Sequence, residues 1–402
     1  MKFDSGIPLD IYITVNSPGE IAGWAVPVVR ELRPRVRDCR VTLMILPCQY
    51  ASGEEMELCK AAGADRIVRV GDIGRLSVSR GKRLVLRLGG DFFFSVYLSR
   101  RLKCPLWAYS SQPRWARFVD MFFVPDDKSA RKFAALGFHS KGKKKKYEKI
   151  GHIALDSVPL SENEDETRGL LGLTDDEPVV SFLTGSRPIE YCQGAPFFTR
   201  VASMVTEKFP DHRAIFPLAD SVREDLLRAS LNDAGIDFYG ELLVREIDIG
   251  GGRRAKVVRG KTPEIIGISR LAIAAPGTNN LQAAALYTPY IMVLPLDKAD
   301  EFPLDGLPGL LPLNVPGVRR FKKWFINRLS ERTPLLSPPN KMAGKMIAPE
   351  LRGDVKPEDA AFEAIRLLCS PDSLQEISRA FWELTNERGA AAKLTARIAE
   401  WV

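Results

Sequence analysis

Apolar and polar positions along this chain alternate between two kinds of block. Short runs rich in β-branched and aromatic residues, Ile11–Val15, Val41–Leu46, Arg66–Val70, Leu84–Leu88, Leu106–Tyr109 and Asp120–Pro125, have the length and composition of strands. Between them lie stretches with apolar residues at helical spacing, such as Val28, Val29 and Leu32, or Phe94, Tyr97 and Leu98. The pattern resumes after the polar stretch Ser161–Arg168, which reads as a linker. It continues with strands Val179–Leu183, Arg213–Pro217, Leu271–Ala275 and Tyr290–Leu294 and a helix over Pro196–Lys208. Glu241–Val258 is expected to form a hairpin or strand pair around Gly250-Gly251-Gly252, and Ser373–Val402 reads as helical. Apolar strands separated by helices call for parallel sheets covered on both faces. At 402 residues the chain exceeds one ordinary core, so two α/β domains are expected.

The turns at strand ends carry the candidate chemistry. Leu271–Ala275 leads through Pro276-Gly277 into Thr278-Asn279-Asn280 and the apolar run Leu281–Leu286, a strand, tight turn and helix N-terminus. Gly277 admits close approach of a ligand, and Thr278 or Asn279 is placed to cap the helix. Free N–H groups and the helix dipole make such a turn an anion site, although the same pattern also serves as an ordinary connection. A second turn of this kind, Thr184-Gly185-Ser186-Arg187, adds an arginine, and the pair suggests a diphosphate held between loops. In the first half, strand Ile11–Val15 runs into the small-residue loop Asn16–Gly23, whose spacing is not that of a dinucleotide fingerprint. Strand Leu84–Leu88 ends in Gly89-Gly90-Asp91-Phe92. Asp91 there is either a catalytic acid or base, or simply the cap of the next helix.

Composition narrows the class. Hydrophobic residues make up 45% and charged ones 27%, as in a globular protein, and the net charge of +8 suits a phosphorylated ligand, an anionic membrane surface or nucleic acid. No nucleic-acid motif, membrane-spanning run or signal-peptide layout appears. The six cysteines lack CxxC spacing and read as reduced, mostly buried thiols of a cytoplasmic protein, and three scattered histidines leave no metal cluster. The run KGKKKKYEK at Lys141–Lys149 is a solvated loop or a contact for lipid headgroups. Within Pro312–Ser330, Phe321, Trp324, Phe325 and Leu329 share one helical face with cations off it. That suits either a membrane interface or a core-facing helix with a solvated back.

The chain resembles the lipid-A-disaccharide synthase family in an ordered series of motifs. Ser17–Gly23 takes the place of A-G-E-x-S-G-D, and Leu88–Phe92 resembles D-A-P-D-F. Tyr109–Pro113 looks like Y-V-S-P-S, and Ile150–Ile153 like V-G-H-P. Thr184–Glu190 matches P-G-S-R-x-x-E, Pro276–Gln282 is similar to S-G-T-A-x-L-E, and Ser337–Leu351 resembles L-P-N-x-x-A-G-x-x-x-x-P-E-L. The chain departs from the pattern at Leu88-Gly89-Gly90, which stands for D-A-P and lacks its aspartate, and at Gln282, where the family has a glutamate. The resemblance implies an α/β fold of GT-B architecture, two Rossmann-like doubly wound parallel-sheet domains facing a cleft. It places an acceptor domain at 1–160, a nucleotide-sugar donor domain at 161–372, and C-terminal helices at 373–402 that pack back on the first domain.

The resemblance further implies inverting, metal-independent glycosyl transfer from a nucleotide diphosphate sugar, a UDP-sugar, to a lipid-linked acceptor. Asp91 would be the general base. Gly185, Ser186, Arg187, Glu190, Gly277, Thr278, Asn279, Gln282 and Asn340 would bind the donor, and Gly19, Glu20, Tyr109 and Ser110 would border the acceptor. No cofactor is implied. The basic stretch Arg319–Arg332 would hold the protein at the inner face of an anionic membrane, and a homodimer is compatible with the family. Two alternatives stand beside this reading. One is an enzyme of the UDP-GlcNAc 2-epimerase type; the other is a non-catalytic relative that binds a nucleotide sugar.

Overall fold

The computed structural model describes residues 3–4, 9–47, 55–76, 78–79, 81–137, 146–158, 164–185, 188–219, 222–239, 244–295 and 334–402. The chain divides into two compact units, residues 1–157 with 387–402, and residues 158–386.

The first unit holds a seven-stranded sheet of β1 (Leu9–Val15), β2 (Cys39–Ile45), β3 (Arg66–Arg69), β4 (Lys82–Arg87), β5 (Leu106–Tyr109), β6 (Met121–Val124) and β7 (Tyr147–Lys149). Their spatial order is β3-β2-β1-β4-β5-β6-β7, and every pairing is parallel. All seven residues of β1 are buried, because helices cover both faces. Ile11, Ile13 and Val15 enter one apolar cluster and Tyr12 the other, the alternation a pleated strand imposes. Inside this core, Asp10 and Arg40 are register partners on β1 and β2. Arg40 donates to Asp10 through Nε (2.5 Å) and Nη2 (2.6 Å), a forked ion pair in which Asp10 has no exposed surface.

The second unit holds β8 (Val179–Leu183), β9 (Arg213–Leu218), β10 (Phe238–Tyr239), β11 (Val244–Gly250), β12 (Arg253–Arg259), β13 (Ser269–Ala274), β14 (Tyr290–Pro295) and β15 (Glu350–Gly353). The order is β10-β11-β12-β9-β8-β13-β14-β15; β11 pairs antiparallel with both β10 and β12, and the rest is parallel. The hairpin turns at Gly250, Gly251 and Gly252, all at positive φ. Two expectations need correction. The presumed linker Ser161–Arg168 contains the start of a helix, Glu164–Leu171. The helix expected from Pro196 begins at Pro188 and runs through Pro196 to Lys208, so it is Pro188 that occupies the first turn.

The two C-terminal helices part company. Pro371–Thr385 belongs to the second unit, where Phe381 stacks on Tyr290 at 5.3 Å and Thr385 Oγ1 donates to Ala284 O. Ala390–Trp401 belongs to the first. The Asp156 carboxylate caps it by accepting from Gly389 N and Ala391 N, both at 2.7 Å. Leu394 and Ile398 are fully buried in the same cluster as Val28 and Leu32, and Trp401 meets Trp107 edge-on. Of the described cysteines, Cys39 and Cys59 are buried and Cys369 is exposed, all as free thiols.

Candidate active site at two strand-order reversals

Each parallel sheet has one place where successive connections depart in opposite directions, and there the carboxyl ends of two adjacent strands leave a crevice. In the first unit it lies between β1 and β4, and in the second between β8 and β13. The candidate residues lie largely in the segments that follow those four strands.

After β1 the chain turns at once into helix. Ser17 caps the turn Pro18–Glu20 by accepting from Glu20 N, and a π-helical turn, Ile21–Ala25, follows. Gly19 and Glu20 therefore lie on a helical start rather than a loop. The Glu20 carboxylate folds back to accept from Asn16 N at 3.0 Å. It then lies against the backbone after β4: a Cβ on Gly89 would stand 1.8 Å from Glu20 Oε2. Gly89 thus leaves room for a carboxylate supplied by another strand end. Arg87, the last residue of β4, fixes that backbone through bonds from Nε and Nη2 to Gly90 O (3.1 and 2.6 Å) and from Nη1 to Tyr109 O (3.1 Å). Its guanidinium rests 3.8 Å from the Phe92 ring centroid. Burial lowers Arg87 to about 10, with Glu20 and Asp91 opposing that fall.

Burial raises the Glu20 carboxyl above its ordinary 4.5, against the Asn16 N–H and the charge of Arg87. The folded state then holds this proton more tightly than the unfolded chain, so stability declines as pH rises from about 4.5 through the raised value. Glu20→Gln is expected to abolish that decline and raise the unfolding midpoint at neutral pH. Melts of both proteins from acid to neutral pH check this, and parallel curves would refute it.

Asp91 is exposed and caps helix Phe92–Leu102, accepting from Phe93 N at 2.7 Å. The plain reading of Asp91 as a cap therefore describes its local geometry, and the residue is exposed just past the end of β4. Tyr109 is turned inward and buried, with its hydroxyl between Gly151 O and Ile153 N, both at 3.4 Å. Ser110 stays half-buried and closes the following turn through Gln112.

In the second unit Leu183 pairs with Ala274, and Ala275 N donates to Leu183 O at 2.9 Å, so the two glycine turns leave neighbouring strands. Gly185 has φ 98, and a Cβ there would stand 2.6 Å from Glu190 Cβ. Ser186 and Arg187 lie outside the described residues. Helix Thr278–Ala285 starts one residue earlier than a side-chain cap at Thr278 or Asn279 requires. Gly277 is the N-cap, and Asn280 reaches back with Oδ1 to Gly277 N at 3.0 Å. Thr278 and Gly277 are exposed, with open space around the Gly277 α-carbon. Gln282 lies one turn along the same helix.

Three polar atoms here are buried with no hydrogen-bond partner: Thr184 Oγ1, Asn280 Nδ2 and Gln282 Oε1. Buried polar groups are nearly always satisfied, so a cluster of such atoms needs a cause. Asn340 is the opposite case. Its amide is fully engaged, donating to Ala348 O and Glu350 Oε1 and accepting from Ile347 N and Ala348 N, so it holds its own loop together. Arg87, Thr184 and Asn280 were not singled out from sequence. The available signal for Arg87 was a cation ending an apolar strand just before two glycines. For Asn280 it was an amide three residues after a helix-starting glycine.

Two α/β units, each a doubly wound sheet with its reversal between strands that end in glycine turns, define the GT-B architecture. Solved structures share it. A UDP-GlcNAc 2-epimerase from Neisseria meningitidis superposes with a TM-score of 0.57 at 11% identity, over 97% of this chain and 100% of its own. MurG from Acinetobacter baumannii gives 0.51 at 10%, over 98% and 100%. At the level of sequence, residues 137–300 match the family model described as lipid-A-disaccharide synthetase. The lipid-A-disaccharide synthases of Syntrophus aciditrophicus and Alkalilimnicola ehrlichii are 26% and 29% identical over 241 and 254 residues, covering 60% and 62% of this chain. The chain spans about half the length of these relatives, 53% and 56%. Over this span the chain is similar to the lipid-A-disaccharide synthase family at a distance.

Proposed function

We propose that the protein is a glycosyltransferase that moves a sugar from a nucleotide diphosphate sugar, with uridine as the base, to a lipid-linked acceptor. The observation that carries this reading is the set of partnerless buried atoms Thr184 Oγ1, Asn280 Nδ2 and Gln282 Oε1 around the two glycine turns. Both turns lie within the family-matched span. A diphosphate and ribose bring the acceptors and hydroxyls that those atoms lack. The N–H groups at Gly277 and Thr278, with Arg187, would stabilise charge on the departing diphosphate without a metal, an electrostatic role. Gln282 would hold the ribose by hydrogen bonding alone, and Glu190 would support the Gly185 turn from beneath.

In the first unit Asp91 would take the acceptor proton as transfer proceeds with inversion. Glu20 would shape the acceptor side, while Tyr109 would act by positioning the backbone around Ser110. Asn340 would shape the donor pocket through its loop. The protein would work peripherally on the cytoplasmic face of a membrane, and the stretch Arg319–Arg332, outside the described residues, would contribute cations there. No described helix is long and apolar enough to cross a membrane.

Thermal stabilisation by nucleotides tests the donor assignment. Uridine diphosphate at about a hundred times its dissociation constant is expected to add roughly 2.7 kcal/mol of stability. Arg187→Ala is expected to remove most of that gain. No shift with any nucleotide would overturn the reading, and donor conversion without an acceptor would favour an epimerase.

A further inference from the structure

We propose that an open pocket at the amino edge of the second unit's sheet binds a small amphiphilic carboxylate, an apolar body ending in one carboxyl group. The pocket has a volume of about 370 Å³, within the range of small-molecule sites. It is lined where β13 and β14 begin, at Ser269 and Pro289. Leu286 and Tyr287, just past helix Thr278–Ala285, form a second wall. The third is one face of helix Pro371–Thr385, where Pro371, Leu374, Gln375 and Ser378 recur at helical spacing. The glycine turns lie past the opposite end of β13, six residues or about 20 Å away, so this site is separate from the one assigned to the donor.

The chemistry of the walls selects the ligand. Among the described residues that line the pocket, Arg270 is the sole charged one. It is exposed and makes no hydrogen bond or ion pair among the described residues. Asp211, whose carboxyl is held down first by His212 Nδ1 at 2.9 Å and least by Arg270, forms no ion pair with it. The amide of Gln375, also exposed, is equally unengaged. The hydroxyls, by contrast, are spent on the protein's own backbone: Ser269 donates to Ile265 O at 2.6 Å and Thr288 to Ile266 O at 2.8 Å. Ser378 donates to Tyr287 O at 2.6 Å, which holds Tyr287 at φ 61, a conformation that a bulky residue adopts only when its surroundings enforce it. Leu286, Pro289, Pro371 and Leu374 supply apolar surface. A guanidinium offers a carboxylate two parallel hydrogen bonds, and the glutamine amide adds a third. A sugar would find few donors left for its hydroxyls, and an amine would meet the charge of Arg270. The site does not depend on the transferase reading.

Calorimetric titration of the full chain with octanoate, octanol and octylamine tests the proposal. Octanoate is expected to bind at one site, octanol more weakly and octylamine not at all. Arg270→Gln is expected to weaken octanoate by roughly tenfold, the share of a charge-assisted hydrogen bond. Gln375→Glu, which sets a carboxylate against the ligand's own, is expected to weaken it as well. Both side chains are exposed and unbonded, so unfolding midpoints should stay at the wild-type value and exclude misfolding as the cause. No binding of octanoate, equal binding of octanoate and octanol, or wild-type affinity in both variants would each overturn the proposal. Displacement of octanoate by uridine diphosphate would place the acid at the glycine turns and overturn it too. Octanoate binding in a protein that no nucleotide stabilises would uphold this site while the donor reading fell.

Discussion

Asp91→Asn is expected to lower turnover by roughly 10²–10⁴-fold, the usual contribution of a positioned general base, without moving the unfolding midpoint. The substitution separates the two roles of this residue. As a cap, Asp91 needs only an oxygen that accepts from Phe93 N, and asparagine supplies one as well as aspartate does. As a base it needs a carboxylate that takes a proton, which an amide cannot do. Asp91→Ala removes both functions and is expected to cost about 1 kcal/mol of stability as well. Release of uridine diphosphate from the sugar donor in the presence of membrane lipid is the assay for both variants, with thermal melts alongside. Full turnover in Asp91→Asn would move the base to Glu20, the other carboxylate at the same strand-order reversal.

Arg40→Met is expected to destabilise the first unit by about 3–5 kcal/mol, the cost of breaking a buried ion pair from one side. The change takes two short hydrogen bonds from a carboxylate with no exposed surface and leaves the charge in the core. Asp10→Leu with Arg40→Met should recover much of that loss, because a buried pair replaced by apolar residues is often neutral. Denaturant titration of single and double variants gives the comparison. Equal losses in both would show that the pair acts through packing and not through charge.

The parallel strands were legible because both of their faces are buried: Ile11–Val15, Leu84–Leu88 and Val179–Leu183 are apolar runs that admit few other readings. Glu350–Gly353 was missed because an edge strand of four half-exposed residues has no such run. The helix over Glu224–Asp233 was missed as well, since its buried stripe rests on Leu227 and Leu231. Glycine turns could be read as turns, but the packing of Glu20 against Gly89 joins residues far apart in sequence, and only the fold brings them together. The stretch Leu88-Gly89-Gly90 lacks the aspartate of the D-A-P-D-F pattern, yet the space at the Gly89 α-carbon holds a carboxylate from the neighbouring strand end. Asn340 shows the reverse, since a motif asparagine that looks like a ligand contact spends its amide on its own loop.

The helix Ala390–Trp401 bears on how the chain matures during synthesis. The first unit begins the chain, yet the helix that covers Val28 and Leu32 is translated only after the whole second unit. Until then Asp156 has no helix end to cap, and the apolar surface that receives Leu394 and Ile398 faces water. The order of completion is thus the reverse of the order of translation: the intervening unit can close while its predecessor waits. A nascent chain exposed as far as Asn386 would therefore hold every segment of the second unit while the first still lacks its covering helix and stays open to chaperones and proteases.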